Sequence, residues 1–135
     1  MTIKHQHPGP DPHGWGIAEQ AHTYMELLVG EDIRAVTDIR RINPPCVLIE
    51  PQSGVFNLMC AGQAETAWTL RCLAPGIGNQ DALEVLSRLV SKVLTACDKH
   101  RIQIQTADLS TFSSDARPDF YPSVDLAFVD VASWI

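Results

Sequence analysis

A chain of 135 residues is long enough to bury one core and too short to need two, so a single domain is the expectation. It is 45% hydrophobic but has no apolar run near the roughly 20 residues of a membrane span and no charged-then-apolar leader, which points to a soluble cytosolic product without a membrane partner. A formal net charge of -6 argues against a broad cationic surface for phosphate backbones.

Residues 1–15 are polar, rich in proline and histidine, and free of periodicity. They read as a flexible arm ahead of one folded domain over residues 16–135. From Gly16 a helical pattern follows, with Ile17, Ala21, Tyr24, Met25 and Leu28 on one face, Glu19, Gln20, Thr23 and Glu26 on the other, and Gly30 placed to close it. Glu31 to Asn43 reads as a short extended piece or turn carrying the basic pair Arg40 and Arg41. Pro44 and Pro45 forbid helix and force an extended entry into the β-branched run Cys46 to Glu50, a buried strand stopped by Pro51.

Val55 to Cys60 is a further short strand candidate. Glu65 to Leu73 is a better one, with Thr66, Trp68, Leu70 and Cys72 on a covered face and Glu65, Thr69 and Arg71 on a wet one. A Pro75-Gly76 turn then delivers Asn79 as the cap of a long helix, with Asp81 in its first turn and Lys99, His100 and Arg101 at its end, as the helix dipole favours. Its apolar stripe is Leu86, Leu89, Val90, Val93, Leu94 and Cys97.

After that helix, Arg101 to Ala107 alternates as a half-exposed strand with Ile102, Ile104 and Thr106 inward. Asp108 to Pro122 reads as a long polar loop, and Val124 to Ile135 as a last strand with apolar atoms on both faces, suited to a central position or to cover by another subunit. The order predicts an α+β two-layer domain, an antiparallel or mixed β-sheet packed by two α-helices.

The search for chemistry returns little. Cys46, Cys60, Cys72 and Cys97 are 14, 12 and 25 positions apart, matching neither a zinc knuckle nor a compact disulfide scaffold, and read as reduced, mostly buried thiols. His5, His7 and His13 lie in the arm, where ordering entropy opposes metal binding. Gly76-Ile77-Gly78-Asn79 lacks the remaining residues of a dinucleotide fingerprint or a P-loop, leaving only the plain anion affinity of a helix start. Asp125 and Asp130, an odd number apart on a strand, face opposite ways, Asp108 and Asp115 have no histidine near in sequence, and His22 and His100 read as surface residues. No catalytic residue, metal site or cofactor is assigned, and the expectation is a protein that is not an enzyme. What remains is an assembly reading, in which Phe112, Arg117, Phe120, Tyr121 and Trp134 are candidate partner-interface residues, because aromatic and arginine side chains favour interface centres.

Four stretches carry a resemblance. They are Glu31 to Asp38, Asn43-Pro44-Pro45 leading through Cys46 to Pro51, Ala74-Pro75-Gly76 ahead of Asn79 to Leu86, and Tyr121-Pro122 before the final strand. Across about residues 17–135 the chain resembles the tail terminator proteins of long-tailed siphophages, especially those of actinobacterial phages, and the arm lies outside the match. The resemblance implies a structural virion protein, assembled in the host cytoplasm and sited at the head-proximal end of the tail. There it would form a hexameric ring that ends tail-tube polymerisation and offers a surface for head-tail joining. Its implied partners are further copies of itself, the tail tube protein and a head completion or connector protein, with DNA passing through the lumen without specific binding. The alternatives are another neck or adaptor protein, or a small-molecule-binding or enzymatic α+β domain.

Overall fold

The computed structural model describes residues 16–52, 57–58, 62–76, 80–113 and 120–133. In chain order these form helix α1 (Ile17–Gly30), strand β1 (Ala35–Val36), a 3-10 turn (Ile39–Arg41), β2 (Cys46–Pro51), β3 (Asn57–Leu58), β4 (Gln63–Leu73), helix α2 (Gln80–Lys99), β5 (Thr106–Phe112) and β6 (Tyr121–Ser133). The expected two-layer α+β domain is what forms. Six strands make one sheet in the order β1-β2-β4-β6-β5, with β3 beside β4. β1 runs parallel to β2 and every other pairing is antiparallel, so the sheet is mixed.

The two faces of the sheet follow from strand parity. Val47 and Ile49 of β2, Trp68, Leu70 and Cys72 of β4, and Leu126 and Phe128 of β6 point to the helices, where Tyr24, Leu28, Leu86, Leu89 and Val93 close the main core. Tyr24 stands edge-on to both Trp68 and Phe128, with ring centroids 5.2 and 5.0 Å away. On the opposite face a second, smaller core gathers Ile42, Cys46, Leu48, Leu73, Phe112 and Tyr121 under the 3-10 segment. The Asp38 side chain caps that segment by accepting from the Arg40 amide at 2.9 Å.

Both helices end on the same device. After α1 the Ile33 amide donates to the Leu28 carbonyl and the Asp32 amide to Val29; after α2, Ile102 donates to Cys97 and Arg101 to Asp98. This is the Schellman pattern, with Asp32 (φ 62°) and Arg101 (φ 61°) at the left-handed position that glycine usually holds. Gly30 is therefore the last helical residue of α1 and does not supply its cap. Ile33 and Ile102, next in line, turn back into the main core.

Three expectations are corrected. Gln20, expected on the outer face of α1, is fully buried because its amide reaches Thr66 Oγ1 at 3.2 Å. Leu94, expected in the core stripe of α2, is 36% exposed, while Ala82 and Ala96 take the buried positions. The strand expected over Arg101 to Ala107 begins only at Thr106, and both ends of the long loop expected from Asp108 to Pro122 are strand: β5 runs on to Phe112 and β6 starts at Tyr121. Ile102 is buried by the turn, Ile104 is half-buried and Thr106 is exposed. An edge strand exposed on both sides needs no apolar alternation, so nothing in its composition marks it as a strand.

Candidate functional site

Antiparallel register carries polar side chains from four strands onto the middle of the face opposite the helices. Across that face Glu50 of β2 lies opposite Thr69, Arg71 of β4 opposite Asp125 of β6, and Asp125 opposite Asp108 of β5. Together they line an open depression of about 560 Å³. Among the described residues no helix covers it.

Arg71 is the hub. Its Nη1 donates to Asp125 Oδ2 at 2.8 Å, its Nε donates to Glu50, and its guanidinium stands 5.4 Å from the centre of the Phe112 ring. Partial burial works against its charge, but the bonds to Glu50 and Asp125 outweigh that and hold its pKa above the ordinary value. Asp125 also accepts from Ser123 Oγ at 2.5 Å and from Ser110 Oγ at 3.5 Å. Glu50, Asp108 and Asp125 set three negative charges against the one positive charge of Arg71, so the depression keeps a negative surplus. Such a surface suits a cationic group, and Arg71 itself is spent on holding the strands together.

A second polar layer lies on the helix face and is closed. Tyr24 Oη donates to the Asp130 carboxylate, the Val131 amide donates to its other oxygen at 2.7 Å, and Trp68 Nε1 and Gln20 Nε2 both donate to Thr66 Oγ1. Burial first, and then the bond to Asp130, push the Tyr24 phenol far above its usual pKa. Asp125 and Asp130 therefore do face opposite ways, as their spacing predicts.

The remaining candidates separate as follows. Phe112 and Tyr121, expected in a long loop as candidate interface residues, are register partners at the turn end of the β5–β6 hairpin, each 8% exposed in the second core. Phe120 is 55% exposed beside them. Arg117 and Trp134 lie outside the described residues, as do Asn79, Asp115, Cys60 and the histidines of the arm. Cys46, Cys72 and Cys97 are buried; burial lifts the Cys72 thiol far up and pushes the Cys97 thiol up to about 11, which makes both poor nucleophiles. His22 is exposed and bonds Glu26 at 2.8 Å, and His100 meets Glu31 at 3.4 Å. No trio of His, Cys, Asp or Glu that could hold a metal occurs among the described residues, and no described helix is long and apolar enough to cross a membrane.

The sequence reading missed the depression. The signal was half present, since parity already put Thr69 and Arg71 on the wet face, but only the pairing register shows that Glu50 and Asp125 arrive on either side of Arg71. In comparisons with known proteins, no family model matches this chain and no curated protein matches it.

Proposed function

We propose that this chain is the tail terminator subunit of a long-tailed phage, a non-enzymatic virion component that forms a hexameric ring on the head-proximal end of the tail tube. In that role it stops tube polymerisation and presents the surface on which a head completion or connector protein joins the tail. Support comes from the motif resemblance, from the two-layer α+β architecture that it implies, and above all from one observation. A sheet of six strands keeps both helices on one face and leaves a charged depression, spread over four strands, open on the other. A domain built this way has two unlike sides, which is what a closed head-to-tail ring requires of each copy. The surplus of acidic residues fits a lumen through which DNA slides without sticking.

The test is direct. Purified chain is examined by light scattering and electron microscopy, alone and after addition to polymerising siphophage tube protein. Rings of six copies, and tubes that stop growing once capped, are the expected results. A strict monomer that leaves tube growth unchanged overturns the reading, as does turnover of a substrate by the purified protein.

A further inference from the structure

A second charged depression, of about 330 Å³, lies on the helix side of the domain, where the chain enters the edge strand β1 beside α2. Its charge pattern is the inverse of the first. Arg34, Arg88 and Lys92 surround it against the single carboxylate of Asp32, over an apolar floor that includes Ile33 and Leu89. Lys92 is already engaged: it donates to the Asp32 carbonyl at 2.8 Å and lies 3.5 Å from the Asp32 carboxylate. Arg34 and Arg88 are exposed, and no described carboxylate pairs with either.

The open sheet face has the opposite deficit. Arg71 occupies Glu50 and Asp125, and Asp108 is left with no described partner. Asp108 also stands directly across from Asp125 in the β5–β6 ladder, a like-charge pair of the kind that destabilises a sheet unless a cation comes between. β5 is itself an edge strand, exposed along Thr106 to Thr111, with neither lysine nor proline to guard it. One domain thus carries an unsatisfied carboxylate on one face and two unsatisfied guanidinium groups on the other.

We propose that a second copy of this chain fills the acidic depression: Arg34 and Arg88 of one copy dock at Asp108 and Asp125 of the next. The contact joins two different faces, so each copy gives one and receives one, which is the head-to-tail arrangement that a closed ring requires. This assignment rests on the ring reading above and adds which surfaces make the ring. Its charge-paired rim makes assembly sensitive to salt, because the screening length falls from about 10 Å at 0.1 M to about 3 Å at 1 M.

Four proteins test it by light scattering at 0.1 M salt: wild type, D108K, R34E/R88E, and the triple variant D108K/R34E/R88E, with circular dichroism to confirm that each is folded. Wild type should form rings and lose them in 1 M salt. D108K and R34E/R88E should each self-associate at least about tenfold more weakly, because like charges then meet across the contact. The triple variant, and an equimolar mixture of the two partial variants, should assemble more strongly than either partial variant alone, since Lys replacing Asp108 then meets an introduced glutamate while Asp125 keeps its charge. Wild-type rings that persist unchanged in both partial variants overturn the contact while leaving the ring standing. A wild type that stays monomeric at low salt and high concentration overturns both.

Discussion

Replacing Tyr24 by phenylalanine removes one oxygen from the middle of the helix-face network and nothing else. The ring stays edge-on to Trp68 and Phe128, so packing is kept, and Asp130, 3% exposed, keeps the Val131 amide but loses the phenol donor. Taking a donor from a buried acceptor costs about 2 kcal/mol, so Y24F should be less stable than wild type by that much at pH 7. The gap should then close in alkali. A phenol whose folded pKa lies far above the ordinary 10 contributes stability that is fully present below pH 10 and is lost as pH rises, because the unfolded chain ionises first. Each pH unit above 10 removes about 1.4 kcal/mol from wild type and nothing from Y24F, so the two curves should meet near pH 11.5. Urea unfolding followed by circular dichroism between pH 7 and 11.5 measures both. Cys72 and Cys97 also titrate upward on folding, but they are common to both proteins and cancel in the difference. A gap that stays constant across that range, or no gap at pH 7, refutes the account of Tyr24 as a buried donor.

Other outcomes follow from single features. Arg101 holds a left-handed φ of 61° that glycine accepts without strain, so R101G should gain about 0.5 to 1 kcal/mol and raise the melting temperature by a few degrees in calorimetry. A double-mutant cycle between Arg71→Met and Asp125→Asn should give a coupling of about 1 kcal/mol, discounted for the partial exposure of both side chains; zero coupling means that the pair only decorates the surface. Alkylation followed by peptide mapping at pH 8 should leave Cys46, Cys72 and Cys97 unmodified until urea opens the core, and rapid native labelling at Cys72 contradicts its burial.

Much of the fold could be read in advance wherever local chemistry and burial agree. The two-faced alternation of β4, the proline entry to β2 and the long α2 all have a periodicity that only one element satisfies. β5 escaped because its residues are exposed on both sides, so Thr106 to Thr111 looks like any polar loop until β6 pairs with it. Gln20 escaped for the converse reason: a glutamine is buried only when a partner distant in sequence, here Thr66, satisfies its amide, and no local pattern reports that partner. The depression failed to show for the same cause. Glu50, Arg71, Asp108 and Asp125 are polar residues scattered over 76 positions of the chain, and only cross-strand register assembles them.

Five positions separate Asp125 from Asp130, and that odd number divides β6 between two duties. On the helix face, Asp130 takes a phenol and an amide from within the chain, and the result is a fixed seat for α1. Across the strand, Asp125 shares Arg71 with Glu50 and still faces the unmatched charge of Asp108, so that side stays in electrostatic deficit however well the domain folds. Damage to the two faces should therefore be separable. Y24F should lower stability while its folded molecules associate with wild-type salt dependence. R34E/R88E, which alters only exposed side chains, should unfold within about 0.5 kcal/mol of wild type yet lose its neighbours. If instead both variants shift stability and association together, folding and assembly are one equilibrium, and the division of labour between the faces of β6 does not hold.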